Sequence, residues 1–116
     1  MNKHISYKLD QLFVEDVAVS EITSNLRTPF YVYSRTSIKD NFDRFTRSLK
    51  GLDSIICYSV KANSNLSVLE TIAKLRGGAD VVSLGEYHRA LKAGIDQKRI
   101  VFSLSLIHIS EPTRLA

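Results

Sequence analysis

Ile55-Ile56-Cys57-Tyr58-Ser59-Val60-Lys61-Ala62-Asn63 is the stretch that decides the fold. The residues up to Val60 form a nearly continuous apolar run, which is typical of a β-strand buried on both faces. Two similar runs follow, Ala79-Asp80-Val81-Val82 and Arg99-Ile100-Val101-Phe102-Ser103, each after a helical pattern. Strands that alternate with helices in this way indicate parallel strands with right-handed crossovers. The sequence therefore predicts an α/β fold, and periodicity alone leaves both an open doubly wound sheet and a (β/α)8 barrel possible.

Two helices connect these runs. The first is predicted to start at Ser64 as its N-cap and to end at Gly77-Gly78. The second starts at Ser83, and Ser83 and Glu86 have the spacing of a capping box. We therefore interpret Glu86 as a helix cap rather than as a catalytic carboxylate. The glycines lack the spacing of a phosphate-binding loop, so helix termination and close packing are the preferred interpretations.

The segment before this α/β pattern mixes short elements. Residues 7–19 are strand-like, and Ser20 is the predicted N-cap of a short helix. Pro29 ends that helix, because the residue before a proline avoids the helical region. Phe30-Tyr31-Val32-Tyr33 is rich in aromatic and β-branched residues, which predicts a further strand.

The composition excludes several classes of function. The 116 residues are 44% hydrophobic and 24% charged, as in soluble globular proteins. The net charge of +4 is spread over predicted helix surfaces, so no nucleic-acid partner is expected. Neither a membrane span nor a signal-type segment is visible, which predicts a cytoplasmic protein without a membrane partner. Cys57 has no partner for a disulfide, and no metal-ligand constellation exists, so no metal is expected.

Lys61 is the first candidate for chemistry. It follows an apolar strand directly, at the end that faces the active site in parallel α/β folds. Burying an ammonium group is costly, and a lysine driven towards its neutral form is a nucleophile that condenses with aldehydes. The alternative is an ordinary exposed loop lysine.

Asp80 is the second candidate, because it interrupts an otherwise apolar strand in which aspartate is disfavoured. A buried carboxylate requires a cationic or hydrogen-bonding partner. The strands that carry Lys61 and Asp80 are expected to be neighbours, so we predict a contact in which Asp80 orients Lys61 or a cofactor. The alternative is an aspartate that faces solvent or a turn.

The assembled motifs resemble those of the diaminopimelate decarboxylases, which depend on pyridoxal 5'-phosphate (PLP). Thr28-Pro29-Phe30-Tyr31-Val32-Tyr33 is similar to their opening strand, and Tyr58-Ser59-Val60-Lys61-Ala62-Asn63 to their PLP-lysine motif. Gly78-Ala79-Asp80-Val81-Val82-Ser83 with Gly85-Glu86 is similar to the motif that follows. The departures are Ser59, where alanine is usual, and Leu84, where many members have glycine.

The resemblance implies decarboxylation of meso-2,6-diaminopimelate to L-lysine by a cytoplasmic homodimer. Lys61 would hold PLP covalently, and Asp80 would contribute to cofactor binding. It implies a domain organisation in which residues 1–27 belong to a β-domain and residues 28–103 begin a PLP-binding (β/α)8 barrel that stops after about three strands. A full barrel needs about 250 residues. We therefore expect this polypeptide alone to fold poorly and to be inactive.

Residues 104–116 do not continue the pattern. Leu104-Ser105-Leu106-Ile107-His108-Ile109-Ser110-Glu111-Pro112-Thr113-Arg114 is the translation of one frame of a transposase adapter used in sequencing libraries. We interpret this segment as an artefact of sequence assembly and give its histidine no function. The alternative is a natural loop.

Three other functions remain open. Ornithine, arginine and carboxynorspermidine decarboxylases share the implied fold, and the residues that would select the substrate lie beyond Ser103. Alanine racemases continue differently after Lys-Ala-Asn, whereas Ser64-Asn65-Leu66 follows here. A non-enzymatic PLP-binding carrier with a single barrel would lack a β-domain, and the strand-like segment before Thr28 argues against it.

Overall fold

The structure is a computed structural model that describes residues 2–103. The chain separates into two compact units, one up to Arg44 and one from Phe45 onwards. This division falls inside a helix, whereas the functional boundary predicted between residues 27 and 28 stays a prediction. Residues 104–116 lie outside the described residues, and their interpretation as an artefact also stays a prediction.

The first unit opens with an antiparallel meander. β1 (Ile5–Lys8) pairs with β2 (Gln11–Val14), and β2 pairs with β3 (Val17–Ala18). Leu9 and Asp10, which join β1 to β2, have φ values of 51° and 64°. This left-handed conformation suits a two-residue hairpin, because its twist matches that of the strands. The strand-like character predicted for residues 7–19 is confirmed.

α1 (Val19–Asn25) follows β3 directly. Its N-cap is Ala18, which is extended and has no side-chain hydrogen bond to the helix. Ser20 lies inside the first turn, so the prediction of Ser20 as the cap is wrong. Pairing with β2 fixes the chain up to Ala18, and the helix begins where that pairing ends rather than at the residue with the best capping side chain.

Phe30–Tyr33, which the sequence predicts to be a strand, is not one. The side chains alternate in exposure, and Tyr31 and Tyr33 are 89% and 57% exposed. A strand needs a hydrogen-bonded neighbour, and within residues 2–103 both sheets are built from other segments. Strand propensity describes side chains that suit a pleated surface, and it does not supply a pairing partner.

α2 (Arg35–Ser48) starts at a polar junction. Ser34 Oγ accepts a hydrogen bond from Ser37 N at 3.0 Å. Glu15 Oε1 accepts from Ser34 Oγ at 2.7 Å and from Thr36 N at 2.8 Å. The Ser34 hydrogen bond, followed by those from Thr36, lowers the pKa of Glu15 from 4.5 to about 2. Glu15 thus joins a turn of the meander to the first turn of α2, where the helix dipole favours an anion.

The second unit contains a parallel three-stranded sheet. The strand order is β4 (Cys57–Ser59), β5 (Gly78–Val81) and β6 (Ile100–Phe102). α3 (Leu66–Lys74) connects β4 to β5, and α4 (Leu84–Lys92) connects β5 to β6. The predicted alternation and parallel pairing are confirmed. The sheet does not close, so the structure establishes an α/β fold, and the complete barrel stays a proposal.

The core of the second unit lies between this sheet and its helices. Val60, Leu69 and Val81 are its largest fully buried side chains. α4 packs on β5, and α3 packs on α4. Side chains alternate along β5, so Val81 lies on the face covered by helices and Asp80 on the other. Val101 is in register with Asp80 and is 50% exposed, so this second face is open within the described residues.

Gly78 allows β5 to approach its neighbours closely. A Cβ at this position would clash with the carbonyl oxygen of Arg99 and would lie 2.9 Å from Cys57 Sγ. The backbone oxygen cannot move away without disturbing the chain beside β6. Gly78 is therefore required for close strand packing. The prediction that Gly77-Gly78 ends the helix is wrong, because α3 ends at Lys74, Arg76 takes the left-handed conformation after it with a φ of 65°, and Gly78 lies in β5.

Candidate active site

Lys61 lies directly after β4, in a 3₁₀ turn formed by Val60–Ala62. Asn63 N closes the turn by donating to Val60 O at 3.1 Å. Val60 is fully buried, whereas Lys61 is exposed. The buried valine anchors the turn in the core, and the lysine amine projects from the carboxyl end of the strand. The predicted position of Lys61 at this end of a parallel strand is confirmed.

Asp80 lies in β5, in register with Ser59 of β4. The residue is half-buried, and its Oδ1 atom is buried without a hydrogen-bond partner in the structure. Buried polar atoms are almost always paired, and an unpaired carboxylate oxygen is costly because it has lost its water. Asp80 Oδ1 can therefore accept a further hydrogen bond.

The predicted contact between Lys61 and Asp80 does not occur in the structure. The Oδ1 atom of Asp80 is unpaired, and none of the ion pairs within residues 2–103 joins these two side chains. The physical reason is the 3₁₀ turn, which takes Lys61 out of the strand path that Ser59 still follows. The two residues nonetheless lie at the carboxyl ends of neighbouring strands. The predicted arrangement of the strands is therefore correct, whereas the predicted contact between the Lys61 and Asp80 side chains is not.

The chain after Lys61 is held by side chains that sequence reasoning missed. Tyr58 Oη donates to Asn63 O at 3.0 Å, and Arg89 Nε donates to Ser64 O at 2.9 Å. Asn65 caps α3 by accepting from Ser67 N at 2.8 Å, so the prediction of Ser64 as the cap is wrong by one residue. No sequence pattern signals the Arg89 contact, because the two residues are far apart along the chain.

Glu86 behaves as the spacing predicts. Ser83 Oγ accepts from Glu86 N at 3.1 Å, and Glu86 Oε1 accepts from Val82 N at 2.9 Å. Both interactions satisfy backbone donors at the start of α4, where free N–H groups would otherwise remain. The interpretation of Glu86 as a helix cap is confirmed.

Cys57 lies on the same face of the sheet as Asp80, since Cys57 and Ser59 alternate with Tyr58. Burial, and then the negative charge of Asp80, raise the pKa of the Cys57 thiol, although Arg99 acts in the opposite direction. A thiol with a raised pKa is a poor nucleophile at neutral pH. The half-buried thiol of Cys57 in β4 is therefore not a candidate nucleophile.

A second polar cluster lies in the first unit. His4 Nε2 is 2.6 Å from Asp40 Oδ2, and Lys3 Nζ is 3.8 Å from the same oxygen. The hydrogen bond from His4 is the main cause that lowers the pKa of Asp40. No local sequence pattern predicts the contact between His4 and Asp40, because the two residues are far apart along the chain.

The described residues contain neither a cluster suited to a metal ion nor a membrane-spanning helix. Across residues 2–103, no group of three or more His, Cys, Asp and Glu side chains is arranged to hold a metal ion. No helix in this part of the chain is both long and apolar enough to cross a membrane.

Residues 35–114 match the family described as pyridoxal-dependent decarboxylase, pyridoxal binding domain. The chain belongs to this family. The matched range covers the Lys61 turn, the Asp80 strand and α4, and it ends inside the segment 104–116. The name of the matched domain thus agrees with the pyridoxal cofactor that the sequence motifs imply.

Several relatives of this chain are diaminopimelate decarboxylases. The enzyme of Pseudomonas aeruginosa is 46% identical over 98 residues, which are 84% of this chain and 24% of the relative. The crystal structure of the enzyme from M. jannaschii superposes with a TM-score of 0.81 at 36% identity, covering 89% of this chain and 25% of that chain. The crystal structure of the Helicobacter pylori enzyme complexed with L-lysine superposes with a TM-score of 0.72 at 46% identity. This match covers 84% of the present chain and 25% of the Helicobacter pylori chain. The chain spans about a quarter of the length of the curated relatives it matches.

The described residues of this family member fit a pyridoxal cofactor. Lys61 offers an exposed primary amine, the group that condenses with an aldehyde. Asp80 offers a buried carboxylate oxygen that lacks a donor. Both lie where parallel α/β folds bind ligands, at the carboxyl ends of their strands.

Proposed function

We propose that this chain is the part of a PLP-dependent decarboxylase that attaches the cofactor, and that the complete gene product converts meso-2,6-diaminopimelate into L-lysine and carbon dioxide. The observation that carries the proposal is an exposed lysine directly after one strand and an unpaired buried carboxylate oxygen on the neighbouring parallel strand, within a domain of the pyridoxal-binding family. The named relatives support diaminopimelate as the substrate.

The L-lysine bound to the Helicobacter pylori enzyme supports the proposed product, because a product binds where its precursor reacted. Diaminopimelate differs from lysine by one carboxylate, so the reaction replaces a carbon–carboxylate bond with a carbon–hydrogen bond. When bound, PLP supplies an electron sink for the electron pair that remains when carbon dioxide leaves.

Lys61 and Asp80 have separate roles in this proposal. Lys61 holds the cofactor through Nζ, and the turn formed by Val60–Ala62 keeps that nitrogen at the open end of the sheet. Asp80 accepts a hydrogen bond through Oδ1, which restores the partner that this buried atom lacks. Because the carboxylate is fixed in β5, it can orient either the cofactor or the Lys61 amine.

The remaining properties are proposals for the complete gene product. We propose a cytoplasmic homodimer with a closed (β/α)8 barrel, in which residues 1–27 contribute to a β-domain. The polypeptide alone should fold poorly, aggregate and be inactive, because the open face beside Asp80 and Val101 leaves the sheet uncovered. A cooperative thermal unfolding transition of the isolated polypeptide, followed by circular dichroism, would contradict this expectation.

The test of the proposed attachment uses the complete gene product. The protein is loaded with PLP, reduced with borohydride and digested, and the pyridoxyl group is located by mass spectrometry. We expect the label on Lys61, loss of the label in Lys61→Met, and full labelling in the control Lys98→Met. A label on another lysine would contradict the assignment.

The test of the substrate compares the release of carbon dioxide from diaminopimelate, ornithine, arginine and the substrate of carboxynorspermidine decarboxylase. We expect decarboxylation of diaminopimelate, with L-lysine as the second product. Faster reaction with ornithine, arginine or carboxynorspermidine would retain the cofactor assignment but replace the substrate. Labelling of Lys61 without decarboxylation of any of the four would favour a PLP carrier.

A further inference from the structure

We propose that Tyr58 and Arg89 are positioning residues that hold the turn carrying Lys61, an inference that rests on the proposed function. Both side chains donate hydrogen bonds to the backbone directly after that turn: Tyr58 to Asn63 O at 3.0 Å and Arg89 to Ser64 O at 2.9 Å. These carbonyl groups are consecutive along the chain. The donors come from different elements, β4 and α4.

The turn needs such support because it is short. A 3₁₀ turn of three residues has few backbone hydrogen bonds and poorer hydrogen-bond geometry than an α-helix, and Asn63 N closes it by donating to Val60 O at 3.1 Å. Val60 is anchored in the core, whereas Lys61 and Ala62 are exposed. Between this anchor and the start of α3, the bonds from Asn63 N to Val60 O and from Asn65 N to Asn63 Oδ1 are local ones that do not tie the segment to another element.

Tyr58 limits this movement from the strand side. Its position precedes Lys61 by three residues, and its hydroxyl reaches past the turn to the Asn63 carbonyl. The hydrogen bond therefore closes a loop that contains Lys61. The half-buried ring keeps the hydroxyl in place, because a tyrosine has few rotatable bonds and a rigid side chain.

Arg89 limits the movement from the helix side. It lies on α4, the helix that follows the Asp80 strand and whose start is fixed by Ser83 and Glu86. Its hydrogen bond to Ser64 O thus connects the Lys61 turn to the element after Asp80. A charged donor strengthens a hydrogen bond to a carbonyl oxygen. Pairing of β4 with β5 sets the separation of the two strands, and the Arg89 hydrogen bond restrains the chain after Lys61 relative to the element that follows Asp80.

The variants Tyr58→Phe and Arg89→Gln, made in the complete gene product, remove one donor each. Their matched controls are Tyr87→Phe, which removes a hydroxyl from a ring that packs against Phe102, and Lys92→Gln, which removes a charge from the same helix. The measurements are the dissociation constant for PLP by absorbance, the fraction of Lys61 trapped by borohydride, and the melting temperature.

We expect Tyr58→Phe and Arg89→Gln each to raise the dissociation constant for PLP by about threefold to tenfold, as loss of one hydrogen bond allows. The controls should leave it unchanged. Arg89→Lys should recover part of the affinity, because lysine can still donate one hydrogen bond. In the double variant Tyr58→Phe/Arg89→Gln, the dissociation constant for PLP should rise by less than the product of the two single increases, because both donors restrain the same segment.

Three results would overturn the inference. If unmodified protein is labelled at Lys61 and both variants match their controls, the donors do not position the turn, although the proposed function stands. If affinity falls only in proportion to a fall in melting temperature and Arg89→Lys restores neither, the residues serve folding alone. If unmodified protein takes no label at Lys61, the proposed function fails and this inference fails with it.

Discussion

The two units of this chain are stabilised by different kinds of interaction. Of the buried hydrophobic residues within 2–103, only Val14 lies in the first unit, and the others belong to the second. The first unit instead relies on polar contacts, such as those of Glu15 with Ser34 and of His4 with Asp40. Apolar burial does not depend on pH, whereas carboxylate hydrogen bonds do. The part that bears Lys61 should therefore tolerate acid better than the part that precedes it.

The largest expected effect comes from Leu69→Ala in the complete gene product. Leu69 is fully buried, so truncation removes apolar contacts and leaves a cavity, which costs about 2–5 kcal/mol. Hydrogen exchange should accelerate in β4, β5 and β6 but not in the meander. The control Leu52→Ala, at a residue 67% exposed, should change little. Equal acceleration in both units would show that they do not unfold independently.

Gly78→Ala should have the next largest effect. The added methyl group meets the Arg99 carbonyl oxygen and Cys57 Sγ, and such overpacking costs about 1–3 kcal/mol. Gly85→Ala is the matched control, because the nearest atom to its added carbon is Ser83 Oγ at 3.9 Å. Within α4, that change should stabilise the protein by about 0.5–1 kcal/mol. Opposite signs in denaturant titrations would confirm that Gly78 is needed for strand packing, and equal signs would contradict it.

Glu15→Gln tests whether the polar contacts of Glu15 stabilise the first unit. Folding lowers the pKa of Glu15 from 4.5 to about 2. The contribution of Glu15 to the free energy of unfolding is therefore fully present above pH 4.5 and is lost as the pH falls towards about 2. Because the carboxylate stays in contact with solvent, we expect about 1 kcal/mol.

Hydrogen exchange of the meander at pH 6 and pH 3 measures this contribution. The variant should exchange faster than the unmodified protein at pH 6, and the difference should shrink at pH 3. Glu21→Gln, in exposed α1, serves as the control. A difference that persists unchanged at the lower pH would contradict the assignment to the Glu15 carboxylate.

Ser59→Ala should have the smallest effect. Ser59 is half-buried and in register with Asp80, but Asp80 Oδ1 receives no hydrogen bond from it in the structure. Replacing serine by the residue usual in the resembled family should change stability by less than about 0.5 kcal/mol. Labelling of Lys61 should be unaltered. A marked loss of label would reveal that the hydroxyl pairs with Asp80 when the cofactor is bound.

Much of the second unit was predictable because its signals are local. Apolar runs, helical spacing and the Ser83–Glu86 pair act over a few residues, and the structure confirms the elements they predict. The caps Ser20 and Ser64 were wrong, since strand pairing and the Asn65 side chain decided where the helices start. The strand predicted at Phe30–Tyr33 failed because a strand also requires a partner.

The sequence by itself determined the α/β class, the parallel order of the strands and the position of Lys61 after a buried strand. These features follow from periodicity and from the chemistry of neighbouring residues. Only the tertiary structure decided that Asp80 Oδ1 lacks a partner, that Lys61 leaves the strand path, and that Tyr58 and Arg89 hold the chain beyond it. Such facts depend on which groups meet across distant segments, and hydrogen bonds require those groups to lie within a few tenths of an ångström of the right distance.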